Sequence, residues 1–247
     1  MLLRVVLAAH LACAFGAAAI FWIPIVASKG GPLHLKAGRL YVRLVYLTAI
    51  TGAPLAVWLF VRAAEPGARR TAVFLAYLLA ILVMPVYHGV RVARAARART
   101  SVASPLHTAT ALVAIAAGAA LCALAIGWRE WPYVLLSPVG PVLGVRALLY
   151  GQSARLNFRT RKFSRVDCPA WREEHIIAMV MSGIAVHTAL LVFGIGRTLG
   201  WRLTGASIYL PWLLPVIVGL PLLLWLIRRE RALPSTTGST LRTPRQP

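Results

Sequence analysis

The sequence predicts an all-α, polytopic membrane helix bundle with about seven transmembrane helices. Three observations carry that reading. The 247 residues are 59% hydrophobic with a mean hydropathy of +0.73, and only 13% are charged, against about a quarter charged in a typical soluble domain. Apolar runs recur that reach the roughly 20 residues a helix needs to cross a bilayer. The charges cluster between those runs, and no separate hydrophilic domain interrupts them.

The runs place the spans at about residues 3–26, 40–61, 71–93, 106–127, 132–150, 174–195 and 207–227. Backbone groups in lipid must be bonded within the segment, so each span is expected to be helical. The fifth is the weakest, because Pro138, Pro141 and Arg146 interrupt it; it is expected to be kinked or partly re-entrant. Gly140 and Gly144 within it have the spacing that permits close helix contact. The first run resembles a signal peptide at its start but continues through Phe21, Trp22, Ile23 and Val26, too long for a signal h-region. Residues 1–231 are read as one membrane domain. The remainder, 232–247, is rich in Ser, Thr and Pro and reads as a disordered cytoplasmic tail.

A formal charge of +21 would suggest nucleic acid in a soluble protein. Here the cations lie between spans, and no aromatic platform for bases accompanies them, so a lipid bilayer and not nucleic acid is the expected partner. Of 27 Lys and Arg, 20 fall on the side carrying the first, third and fifth loops and the C-terminal tail. The positive-inside rule then places the N-terminus outside and the C-terminus in the cytoplasm, with a bacterial inner (plasma) membrane as the expected location.

The three cysteines form no CxxC pair, and no P-loop, GxSxG or HExxH pattern occurs. The six carboxylates, Glu65, Glu130, Asp167, Glu173, Glu174 and Glu230, fall at span ends or in loops. That placement argues against a carboxylate-driven proton relay within the bilayer.

Histidine remains. His10 and His187 fall well inside the first and sixth spans, both counted as roughly 10–12 Å from the outer span ends at 1.5 Å per residue. Such a pair either hydrogen-bonds across helices, as polar side chains in bundles do, or holds a b-type haem iron between two imidazoles. His175 and Met179 share a helix face at i and i+4. With His34 opposite, they either form a soft metal or haem site or pack the first loop against the sixth helix. His88 and His107 fall near the cytoplasmic boundary.

The stretch 29–44, "KGGPLHLKAGRLYVRL", joins the first two spans. Its cations and Tyr41 suit an interface, and Gly38 is expected to let a neighbouring backbone approach. This stretch resembles the loop motif of a family of bacterial membrane proteins known as domain of unknown function 2306. The stretches "EEHIIAMVMSGIAVHTALLVF" and "YHGVRVARA" are similar to further parts of its pattern. The resemblance singles out His10, His34, Gly38, Arg39, Gly89, Arg91, His175 and Met179. It departs at Leu35, where the family usually has Arg. It implies the fold and no settled activity. Three functional classes follow: a histidine-based redox, haem or metal-binding membrane protein; a small-molecule or lipid permease, favoured by the broken fifth span and Arg146; or an accessory subunit without chemistry.

Overall fold

A computed structural model describes residues 1–159, 168–195, 200 and 204–232. The expected tail beyond Ala232 lies outside the described residues. Among the described residues eight α-helices run in chain order: α1 Leu2–Val26, α2 Pro32–Arg62, α3 Pro66–Ala98, α4 Pro105–Trp128, α5 Trp131–Leu136, α6 Val139–Arg159, α7 Cys168–Ala189 and α8 Leu210–Ala232. A π-helical segment, Leu190–Ile195, continues α7, and a 3₁₀ turn, Gly205–Tyr209, leads into α8. No strand occurs among the described residues. Among the described residues seven segments are long and apolar enough to cross a membrane, α5 and α6 together supplying the fifth. The chain is therefore a multi-pass helical membrane protein.

α3 is the most buried helix and the axis of the bundle. It packs against α2 and α7 on one side and α4 on the other; α1 completes the layer on α2, α8 packs on α7, and α6 packs on α4. The outward faces of α1, α2 and α8 carry large exposed apolar side chains, among them Leu47, Ile50, Val57, Leu214, Ile217 and Leu224. In a bilayer those faces meet acyl chains.

Several helices outrun the expected spans. α2 has 31 residues and α3 has 33, about 46 and 50 Å at 1.5 Å each, against roughly 30 Å of hydrocarbon. The extra turns lie mainly at the basic end of the bundle, where α1 and α3 finish and α2 and α4 begin. The stretch 29–44 is thus not chiefly a loop. Gly30, at φ +79°, makes the turn, Pro32 opens the helix in its first turn, and the remainder is α2. Lys29 donates to the carbonyls of Pro24 and Ile25 at 2.8 and 2.7 Å, and His34 Nδ1 donates to the Pro24 carbonyl at 3.0 Å. These side chains cap carbonyls that the end of α1 leaves open. The chemistry concentrated in this link is helix capping.

The interrupted fifth span takes the expected form. α5 ends at Leu136 and α6 begins at Val139. Tyr77 of α3 holds the corner: its hydroxyl donates toward the carbonyls of Leu136 (2.8 Å) and Ser137 (3.0 Å) and accepts from the Gly140 amide (2.9 Å). A Cβ on Gly140 would lie 2.5 Å from the Ala114 carbonyl, and one on Gly144 2.7 Å from that of Ala111. The glycine pair therefore brings α6 backbone-close to α4, as its spacing predicts. Gly38 does the reverse of what is expected: nothing lies within 4 Å of a Cβ there. Gly38→Ala should stabilise the protein by up to about 1 kcal/mol through helix propensity, measured as a shift in denaturation midpoint in detergent.

Candidate functional site

Four ionisable side chains from four helices meet in the interior near the basic end. His107 heads α4's packed stripe of Ala111, Ala114, Gly118, Leu121 and Ala125, which turns it inward. Ser104 caps this helix by accepting from the His107 amide. His88 lies between buried Met84 and Val92 on α3. Glu174 lies four residues before buried Ala178 and eight before buried Ser182, on the inward face of α7. Arg146 projects from α6.

The four form a chain. His107 Nε2 lies 2.9 Å from His88 Nδ1, and His88 Nε2 lies 3.0 Å from Glu174 Oε1. Arg146 donates to both carboxylate oxygens, Nε to Oε1 at 3.2 Å and Nη2 to Oε2 at 2.6 Å. His88, His107 and Glu174 are buried, whereas the Arg146 side chain is 45% exposed. The exposed remainder enters an open groove of about 620 Å³ along α6, lined by Pro141, Val142, Val145, Leu149 and the polar Tyr150 and Ser153. A second space of about 10 Å³, the size of one water, adjoins His88, Arg146 and Glu174 on the inner side.

The carboxylate fixes one proton position. An ionised carboxylate only accepts, so His88 Nε2 carries its hydrogen toward Glu174. In a neutral His88 the Nδ1 then accepts, and His107 Nε2–H donates to it. With both histidines neutral, Glu174 at −1 and Arg146 at +1 make a cluster that is neutral overall. Burial of an ion pair demands this balance together with hydrogen bonds to the remaining lone pairs.

The expected haem pair is not brought together. His10 turns toward α2, where Nδ1 donates to the Thr48 carbonyl at 3.0 Å and lies 3.2 Å from Thr51 Oγ1. His187 lies against Phe21 and Trp22; its Nε2 accepts from Trp22 Nε1–H at 3.2 Å and its Nδ1 donates to the Gly183 carbonyl at 2.7 Å. His187 is thus level with a part of α1 at least eleven residues, about 17 Å, beyond His10. Equal depth fails because the helix ends are staggered, which counting residues from span ends does not register. One iron cannot be reached from both imidazoles, since axial ligation places the two ligating nitrogens on opposite sides of a single atom.

His34, His175 and Met179 all lie at the basic end, where each has a structural task. His34 caps α1. His175 Nδ1 donates to the Gly89 carbonyl at 2.9 Å, and Gly89 lets α7 approach: a Cβ there would lie 3.1 Å from both Ala178 Cβ and Met179 Sδ. His175 is within electrostatic range of His34, Lys29 and Arg97, a setting that repels a metal cation. Among the described residues no group of three or more His, Cys, Asp or Glu converges on one point; both ring nitrogens of His88 are already engaged, so its cluster is linear. Arg91 folds back on the α3–α4 loop, donating to the carbonyls of Val102 and Ser101, and Arg39 donates along its own helix to Leu35.

Glu174 does lie near the start of the sixth span, Trp171–Gly194, but a span-end position does not keep it out of the interior: it is buried and bridges His88 to Arg146. The available signal was its phase with Ala178 and Ser182, which separates it from its neighbour Glu173. Glu173 pairs with Arg231 of α8 at 2.7 Å on the exposed side.

Fold and site together define a polytopic α-helical membrane protein with a buried ionisable chain that opens into a lateral groove. No protein-family model, curated protein or solved structure matches the chain.

Proposed function

We propose that this protein is a small-molecule or lipid-handling membrane protein of the permease class, whose binding site is the α6 groove and whose ligand is an anionic amphiphile drawn from the bilayer. One observation carries the reading: an arginine side chain, 45% exposed, lines a groove bedded mainly by Pro141, Val142, Val145 and Leu149. An isolated charge facing lipid is costly, and ionisable side chains in such positions mark binding sites and pathways. Arg146 uses two of its nitrogens on Glu174 and has further N–H donors for an anionic head, while the apolar bed suits an alkyl chain. The histidine-based redox reading loses its support with the separation of His10 from His187.

The proposal places the basic end in the cytoplasm of a bacterial inner membrane, supported by the 20-to-7 distribution of cations. Single cysteines at Thr100 and Gly67, both exposed, test this. A membrane-impermeant thiol reagent added to intact cells should modify Gly67→Cys and spare Thr100→Cys; modification of Thr100→Cys alone reverses the topology.

The binding test uses the full chain in phosphatidylcholine nanodiscs with a dansyl-tagged alkyl sulfonate, whose head stays charged between pH 5 and 8. The probe should bind saturably. Arg146→Gln should weaken it at least tenfold, equivalent to about 1.4 kcal/mol, and an uncharged alcohol with the same tag should bind as weakly. Free methanesulfonate should not compete. Equal binding by wild type and Arg146→Gln rejects the site, and displacement by methanesulfonate makes it a site for free anions instead.

A further inference from the structure

Resting on that reading of the groove, we infer that the His107–His88–Glu174 chain couples anion binding to proton uptake: one proton entering through His107 cancels the charge of Glu174 and releases Arg146 to the anionic head of the ligand. The geometry supplies each step. A proton added at His107 Nδ1 makes that ring cationic. The hydrogen on His107 Nε2 passes along the 2.9 Å contact to His88 Nδ1, and the hydrogen on His88 Nε2 shifts along the 3.0 Å contact toward Glu174 Oε1. His107 ends neutral with its hydrogen on Nδ1. The His88–Glu174 pair gains one proton and goes from −1 to zero, whichever of its two atoms holds that proton. Arg146 then loses its bonded counter-charge beside the groove, and an anionic head restores the balance that burial demands.

The groups facing the chain permit this. α3 contributes Arg91 near His107, already held by the carbonyls of Val102 and Ser101. α6 contributes Arg146 and Tyr150, whose ring lies edge-on to His88 at 5.8 Å. α7 contributes Glu174 and, on its other faces, His175 bonded to Gly89 and Glu173 paired with Arg231 of α8. Glu173 lies within electrostatic range of Arg146 but is bonded to Arg231, so among the described residues Glu174 is the carboxylate that Arg146 holds by hydrogen bonds. The Nδ1 edge of His107 faces Gly151 of α6, where a Cβ would lie 3.5 Å from His107 Nδ1, and His107 stands in the first turn of α4 at the basic end. On this inference the proton comes from the basic end, the nearer end for a residue in the first turn of α4, while the ligand enters from lipid.

The test measures proton uptake by a pH-indicator dye in weakly buffered nanodiscs while the alkyl sulfonate is added. Wild type should take up close to one proton per probe bound, and its affinity should fall about tenfold per unit rise in pH over the coupled range, the limit for one linked proton. Glu174→Gln keeps the shape and removes the charge permanently, so it should bind the probe tightly at every pH with no proton uptake. His107→Phe should slow uptake after a pH jump at least tenfold while leaving its final extent unchanged. Arg146-dependent binding with no uptake in wild type, or undiminished pH dependence in Glu174→Gln, overturns the coupling and leaves the groove assignment standing. An unchanged rate in His107→Phe removes the histidines from the route. Absence of probe binding to wild type rejects the groove and this inference together. The wild-type stoichiometry is independent of whether any variant folds.

Discussion

Glu174→Ala should destabilise the bundle by about 3 kcal/mol, within the usual cost of breaking a buried ion pair by removing one partner. The loss has two sources. Arg146 loses its bonded counter-ion beside lipid, and His88 Nε2–H loses its acceptor in a buried setting. If uncompensated charge is the main source, the double variant Glu174→Ala/Arg146→Ala should be more stable than Glu174→Ala alone, a non-additivity of 1 kcal/mol or more, in the range expected for residues in direct contact. Unfolding followed by helical signal during denaturant titration in mixed micelles reads both. A double variant that is less stable than Glu174→Ala would mean that Arg146 contributes chiefly by packing.

The second large effect is expected at Gly118, where α4 crosses the corner between α5 and α6. A Cβ there would run into the Pro141 ring and lie 2.5 Å from the Ser137 carbonyl. Neither neighbour can move: Pro141 has a fixed ring, and the Ser137 carbonyl is bound by Tyr77. Gly118→Ala should therefore cost about 2 kcal/mol, in the range of overpacking, and Gly118→Leu should prevent the corner from closing. Yield and thermal midpoint in detergent check this. Gly38→Ala, with open space around its Cβ, is the matched control with the opposite sign.

The spans were legible because length and apolarity suffice to define them. The break in the fifth was legible because proline announces itself. The glycine pair at 140 and 144 was legible because its spacing has one common meaning in a membrane. Helix stagger was not legible. It separates His10 from His187 and brings His88, near the end of an overlong α3, beside Glu174, near the start of α7. Residue counts from span ends assume level ends, and helices of 25, 31 and 33 residues do not provide them. Four of the motif positions, His34, Gly89, Arg91 and His175, are accounted for by helix ends, loop closure and close helix approach. The chemistry lies instead at His88, His107, Arg146 and Glu174, where the helical phase of each residue, and not its distance from a span end, carried the information.

The central claim is that the α6 groove takes an anionic amphiphile at Arg146. The most direct measurement is covalent: an alkyl sulfonate carrying a photoreactive diazirine in its chain is irradiated with the full-length protein in phosphatidylcholine nanodiscs, and the modified residues are located by peptide mass spectrometry. The structure predicts adducts concentrated on Val142, Val145 and Leu149 and strongly reduced in Arg146→Gln. Adducts spread over the lipid-facing surfaces of α1, α2 and α8, unchanged by Arg146→Gln, would contradict it.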